Sequence, residues 1–191
     1  MNKPDYSDKN SVREFYLAKR GGLDPDKLVY YSNKIRTRLE HTAIYQKANA
    51  VHTYVSIEKN NEVLTQQIIE NSIVDGKKII VPKMLHGGKL EHIRINSLDE
   101  LQANSWGVPE PVHKNFHPIS GIDMVVVPMV AGDRQKNRIG YGKGYYDRFL
   151  SKVDVYKIGL LFNCQLSEFP IPVEPFDIKL DMLITENEVI S

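Results

Sequence analysis

The chain has 191 residues, a formal net charge of +1 and a single cysteine, Cys164. That length buries a sizeable core in one domain, and near-neutrality removes any case for bulk attraction to nucleic acid or a membrane surface. One cysteine excludes an internal disulfide and a cysteine-based zinc cluster.

Residues 1–10 are polar and lack an apolar leader core, and no apolar run approaches bilayer-spanning length, so a soluble, cytoplasmic protein is expected. Residues 7–20 read as a helix ended by Gly21-Gly22. Asp24-Pro25 opens a second helix to about residue 40, with Pro25 at its first position, and 41–47 continue as a short helix. Residues 50–55 read as a strand, 62–74 as a helix closed by Gly76, and 77–82 as the next strand. Residues 89–95 alternate like a half-exposed strand, and 98–102 form a short helix. A buried strand follows at 123–128, then a helix at 145–152 whose apolar face is Tyr145, Phe149 and Leu150. Strands at 156–162 and near 181–185 complete the chain, with no internal repeat, heptad or low-complexity linker. Cys164 follows a strand-like run and reads as a small buried hydrophobe, and the six histidines as surface or satisfied residues.

Strands alternating with helices predict an α/β domain whose parallel-rich sheet is covered on both faces. Ligands in such folds bind beyond the carboxyl ends of the strands. Pro82, Pro128 and Phe162 mark those ends, which puts Lys83, a glycine-rich loop and Asn163 in one crevice.

That loop, within residues 133–148, is the most informative segment. Gly140, Gly142 and Gly144 alternate among the cations Arg134, Lys136, Arg138, Lys143 and Arg148, which outnumber Asp133 and Asp147. Glycines at alternate positions suit neither a strand nor a helix interior but do suit a tight bend that lets backbone approach a ligand. A strand, a basic glycine loop and a helix start together form a phosphate receptor, and Asp147 would hold magnesium against the same phosphates. The other reading is a flexible solvated loop, against which stand the interleaved Tyr141, Tyr145 and Tyr146. Neither the P-loop nor the dinucleotide fingerprint fits Gly140-Tyr-Gly-Lys-Gly144.

Arg138-Ile-Gly-Tyr-Gly-Lys-Gly-Tyr-Tyr-Asp147 after a Val-Val-Val-Pro strand resembles the signature of the 5-formyltetrahydrofolate cyclo-ligase family. The resemblance covers nearly the whole chain. It takes in Lys9-x-x-x-Arg13, Tyr54-Val-Ser with Glu62-Val-Leu-Thr65, Ile80-Val-Pro82, Trp106-Gly-Val-Pro109-Glu-Pro111, and Phe176-Asp177 with Asp181 and Leu-Ile-Thr-Glu186. It implies a single three-layer α/β/α domain over 1–191, Rossmann-like in the manner of isomerases and CoA transferases, and a monomer or weak homo-oligomer. It also implies ATP-dependent conversion of 5-formyltetrahydrofolate to 5,10-methenyltetrahydrofolate with magnesium, releasing ADP and phosphate. The formyl oxygen is phosphorylated, N10 attacks the activated carbon and phosphate leaves, so no protein nucleophile is required.

By the same resemblance ATP meets Lys9, Arg13, Arg138, Ile139, Gly140, Tyr141, Gly142, Lys143, Gly144, Tyr145 and Tyr146, with Arg138 and Lys143 catalytic. Asp147 and Asp177 bind the metal, Glu62 holds the pterin ring, and Val55, Tyr141 to Tyr145 and Trp106 line the folate pocket. Read without the family, Lys9 and Arg13 are a solvated helix face and Asp177 and Asp181 are surface carboxylates. Glu62 is then a first-turn helix acid and Trp106 a packing anchor. Gly132 departs from the family pattern, which places an aromatic before Asp133, and a missing ring there would widen the pocket. Three other functions therefore stay open: ATP-dependent activation of a different amide or carboxylate, a non-catalytic folate or nucleotide binder, and a sugar-phosphate isomerase-like protein acting without ATP.

Overall fold

A computed structural model describes residues 3–104 and 107–191. Asp8 starts α1 (Lys9–Gly21) by accepting the backbone N–H groups of Asn10 and Ser11, and Asp24 does the same for Asp26 and Lys27 in α2 (Pro25–Glu40). Thr42 caps α3 (Ala43–Lys47), which leads into β1 (Ala50–Thr53). The next helix, α4 (Gln66–Val74), begins four residues later than expected. Thr65 precedes it with its hydroxyl spent on the Tyr54 carbonyl and the Ser56 N–H, so Glu62 lies in the preceding loop and not in a first helical turn.

The hairpin of β2 (Lys78–Leu85) and β3 (Lys89–Ile95) follows, then a small pair, β4 (Leu101–Ala103) and β5 (Pro109–Pro111). The expected helix at 98–102 is one 3-10 turn running into β4. Further on are β6 (Met124–Val127), β7 (Ala131–Asp133), β8 (Arg138–Ile139), α5 (Tyr145–Leu150) and β9 (Tyr156–Leu160). The chain ends through β10 (Leu166–Ser167), β11 (Met182–Ile184) and β12 (Val189–Ile190).

The main sheet has seven strands in the order β12-β11-β9-β6-β1-β2-β3, parallel from β11 to β2 and antiparallel at both edges. Two aspartates pin its register. Asp123 accepts the N–H groups of Asn49 and Ala50 at 2.7 and 2.8 Å beside β1, and Asp181 accepts that of Lys157 at 2.8 Å beside β9. In β6, Met124 and Val126 enter the core under α2 and α4, while Val125 and Val127 enter the core under α5, so the strand is apolar on both sides. Coverage of the second face is less helical than expected. There α5 has only six residues, and its buried side is Tyr146, Phe149 and Leu150, with Tyr145 turned elsewhere. The first helix, α1, covers neither sheet face but packs Val12 and Tyr16 against Val130, Ala131 and Ile139 of a separate ribbon, β10-β7-β8. Among the described residues no helix is long and apolar enough to cross a membrane.

His52 contradicts its reading as a surface or satisfied residue. It sits fully buried in β1, its ring centroid 4.8 Å from Phe149 and 5.2 Å from His92, with neither nitrogen hydrogen-bonded among the described residues. Burial, and then the neighbouring His92, hold its pKa well below the ordinary value. The unfolded ring takes a proton below about pH 6.5 while the folded one stays neutral. The unfolded state then binds more protons, and stability falls with acid by up to about 1.4 kcal/mol per pH unit from this one group. Urea midpoints should drop between about pH 7 and pH 5, and His52→Leu should flatten that drop. An unchanged acid slope in the variant would contradict the assignment.

Candidate functional site

Beyond the carboxyl ends of β1, β2 and β6 lies a cavity of about 490 Å³. Tyr54 and Val55 extend from β1 into its wall, Pro128 follows β6, and α1 contributes Lys9 and Arg13. Because β2 runs on to Leu85, the pleat sends Pro82 and Met84 into the cavity and Lys83 to the other side, where its ammonium meets the Pro111 carbonyl at 3.0 Å. Asn163 is not part of the cavity either; its N–H donates to Glu186 at 2.7 Å. The single crevice expected for Lys83, the glycine loop and Asn163 therefore holds for the loop alone.

Residues 138 to 148 form the cavity's most charged wall. Its two ends are joined by an ion pair of 2.6 Å between Arg138 Nη2 and Asp147 Oδ1, with the Arg138 side chain only 4% exposed. Between them Gly142 and Gly144 take φ of +83° and +67°, which only glycine adopts cheaply, whereas Gly140 does not. Arg13 braces the loop from below by donating to the Gly140 carbonyl at 2.8 Å. Arg148 braces it from the side, binding the carbonyls of Lys143 at 2.6 Å and of Gly88 in the β2–β3 turn at 2.9 Å. Lys143 is exposed at the mouth. Ile139 turns its side chain into the core beneath α1, so it meets the cavity through its backbone. Tyr145 lines the cavity with its hydroxyl 3.4 Å from the Leu85 carbonyl.

A second cluster of charge closes the far end. Lys9 is paired with both Glu174, at 2.6 Å, and Asp177, whose carboxylate also accepts the Glu174 N–H at 2.6 Å. Asp147 accepts the N–H of Ile178 at 3.2 Å, which ties this segment to α5. Deeper in, Glu62 is nearly buried, accepting the Ile57 N–H at 2.7 Å and the hydroxyl of Tyr141. Burial raises its pKa, opposed by the hydrogen bonds from Tyr141 and Ile57 and by the charge of Arg20. Tyr141 is itself pushed up, by burial and by Glu62.

All fifteen side chains or backbone positions expected from the sequence reach this one cavity: Lys9, Arg13, Val55, Glu62, the run from Arg138 to Asp147, and Asp177. Trp106 lies outside the described residues. Gly132 needs correction: it is not in the cavity wall, and a Cβ on it would lie 2.5 Å from Met129 Cε and 3.2 Å from Leu183. Met129 and Leu183 fill the space beside it, so the missing ring does not widen the pocket, and the ground for a different substrate disappears. Sequence reasoning missed Arg20, Arg148 and Glu174. Arg20 had a signal, since Lys9, Arg13 and Arg20 are spaced by four and seven and share one helical face.

Comparison with known proteins gives one consistent result. A model of the 5-formyltetrahydrofolate cyclo-ligase family matches residues 5–186. The 5-formyltetrahydrofolate cyclo-ligase of Escherichia coli K12 is 31% identical, over 90% of this chain and 96% of its own length. A probable 5-formyltetrahydrofolate cyclo-ligase of Caenorhabditis elegans is 28% identical over 95% and 94%. The solved structure of Aquifex aeolicus 5,10-methenyltetrahydrofolate synthetase superposes with a TM-score of 0.82 at 30% identity, covering 95% of this chain and 91% of that one.

The loop's glycines supply a stability test. A left-handed φ costs a side-chain-bearing residue about 1–2 kcal/mol, and a Cβ on Gly144 would also lie 2.8 Å from Arg148 Nη1. Gly144→Ala should lower the unfolding free energy by about that amount. Gly21→Ala, at a position with open space and no left-handed φ, should be neutral or slightly stabilising. Equal effects in urea denaturation would contradict the loop geometry.

Proposed function

The chain belongs to the 5-formyltetrahydrofolate cyclo-ligase family, and we propose that the cavity under its glycine loop is where ATP and the reduced folate meet. The activity is the ATP-dependent closure of 5-formyltetrahydrofolate to 5,10-methenyltetrahydrofolate, with release of ADP and phosphate. A formamide oxygen is a poor leaving group, so ATP must activate it. The formyl oxygen attacks the γ-phosphorus and ADP departs. N10 then adds to the formyl carbon, the carbon–oxygen bond breaks as phosphate leaves, and N10 gives up its proton. Catalysis of such a transfer is positioning plus neutralisation of phosphate charge.

The observation that carries the assignment of roles is that cations and carboxylates of the empty cavity occupy one another. Arg138 is paired with Asp147, and Lys9 with Asp177 and Glu174. A triphosphate brings the negative charge that lets these cations change partners. Arg138 and Lys143 meet the transferring phosphoryl group, Lys9 and Arg13 the rest of the triphosphate, and the backbone of Ile139 to Tyr146 shapes the bed. Glu62 receives the pterin N–H groups, with Val55 and Tyr141 to Tyr145 alongside.

The carboxylates released from those pairs fit magnesium, which binds proteins through one or two carboxylates completed by substrate phosphates. The hydrogen bonds to Asp147 fall on Oδ1 and those to Asp177 on Oδ2, leaving each a second oxygen without a protein donor among the described residues. Among the described residues no cluster of three or more His, Cys, Asp or Glu would hold an ion unaided, consistent with a metal that arrives with the nucleotide. Bound there, it would neutralise phosphate charge. The continuous seven-stranded sheet supports a single domain, and we place the enzyme in the cytoplasm as a monomer or weak homo-oligomer.

Mixing the protein with 5-formyltetrahydrofolate and magnesium should give the absorbance of the methenyl product only when ATP is added. No rise, with ATP still bound, would overturn the substrate assignment. Asp147→Asn preserves an acceptor for Arg138 and Ile178 and should fold normally, yet lose about a hundredfold or more in turnover. Near-normal turnover of that variant at limiting magnesium would remove Asp147 from its role.

A further inference from the structure

Arg20 has no assigned task, although it is 2% exposed at the end of α1. Its Nη2 donates to the Tyr141 hydroxyl oxygen at 2.7 Å, its Nη1 to the Met129 carbonyl at 3.4 Å, and its guanidinium carbon stands 5.5 Å from the centre of the Tyr141 ring. Asn61, next to Glu62 in the chain, donates to the carbonyls of Arg20 and Gly21 at 3.3 Å each. A buried cation with these attachments is fixed from both sides of the cavity floor.

The chemistry of the groups sets the direction of the hydrogen bonds. A guanidinium has donors only and stays protonated. Tyr141 therefore accepts from Arg20, and its one proton goes to the remaining partner, Glu62 Oε1. A protonated Glu62 would strand the Tyr141 proton in a buried place, which costs free energy. We propose that Arg20 is a positioning residue for folate recognition, acting through Tyr141 to keep Glu62 ionised and aimed at the ring donors of the pterin. This rests on the reading of Glu62 as the folate-binding carboxylate.

The groups around Glu62 make the relay necessary. Tyr54 faces it from the end of β1, Tyr146 from α5, Tyr141 from the glycine loop and Arg20 from α1, with the Ile57 N–H on its own loop. Arg20 is the one cation among them, and three phenols and burial surround the carboxylate otherwise. Without the relay, burial is less opposed and Glu62 takes its proton at a higher pH. The acid then offers a donor where the pterin N–H groups need an acceptor. Folate binding, and not ATP binding, should suffer.

Steady-state kinetics across pH test this with Arg20→Met, Arg20→Lys, Tyr141→Phe and Glu62→Gln. Arg20→Met and Tyr141→Phe should each raise the folate KM by about tenfold, the worth of a charge-assisted hydrogen bond, and leave the ATP KM within about twofold. The acid limb of kcat/KM for folate should move up by about one pH unit in both. Arg20→Lys, which keeps a donor cation, should recover part of the loss, and the double variant should be no worse than the poorer single one. Tyr141→Phe keeps the ring and carries the test if Arg20→Met fails to fold. A rise in both KM values with an unmoved acid limb would overturn the proposal in favour of a purely structural arginine. So would silence in the Arg20 and Tyr141 variants while Glu62→Gln weakens folate binding. If Glu62→Gln itself leaves folate binding unchanged, the reading of Glu62 fails and the relay with it.

Discussion

The ion pair between Arg138 and Asp147 is the constraint on which the rest of the site depends. An unpaired guanidinium buried as deeply as Arg138 would cost several kcal/mol, so β8 and the start of α5 are held together across the glycine loop. Closing that distance is what forces Gly142 and Gly144 into left-handed conformations. The closed loop then offers carbonyls in fixed places. Arg13 of α1 takes Gly140, and Arg148 takes Lys143 together with Gly88 of the β2–β3 turn. Asp147 adds the backbone of Ile178, which brings the segment bearing Glu174 and Asp177 to the same wall. One pair thus gathers α1, the β2–β3 turn, α5 and the stretch before β11 around a single cavity.

This arrangement reconciles two demands on a site for a polyanion. Cations must be concentrated where the phosphates will lie, and the same cations repel one another in the empty protein. Alternating them with Asp147, Asp177 and Glu174 relieves the repulsion, and the carboxylates then become the natural seat of the metal that accompanies the nucleotide. Folate recognition is kept electrically separate. Glu62 is reached through Tyr141, whose hydroxyl is oriented by Arg20, and none of these three pairs with the phosphate-side carboxylates. The glycine loop touches both regions, since Tyr141 projects toward Glu62 and Arg138 toward Asp147.

Long apolar runs and the glycine loop were readable from sequence. The central strands stand where the Val-Val-Val and Ile-Ile-Val runs predict them, because a strand buried on both faces leaves little choice of residue type. The ribbon of β7, β8 and β10 was not readable: its strands have two or three residues, too few to show a period. It is fixed by Asp133, read only as a loop acid, which is buried and accepts the N–H groups of Gln135, Asn137 and Ile171 and the Asn137 side chain. Glu62 was identified as a site residue but put on the wrong element, since the hydroxyl bonds of Thr65 delay the helix. Lys83 failed because Pro82 is tolerated inside β2, which passes through it to Leu85. Arg20 failed for a different reason: a terminal helix cation normally serves the helix dipole, and only the fold brings Tyr141 to it.

A crystal structure with a non-reactive ATP analogue and magnesium would test the exchange of charge partners most directly. Lys9 should have left Asp177 for a phosphate oxygen, Arg138 should touch the phosphates, and the metal should rest on Asp147, Asp177 or both. A nucleotide bound outside the cavity, with the Arg138–Asp147 and Lys9–Asp177 pairs intact, would contradict it.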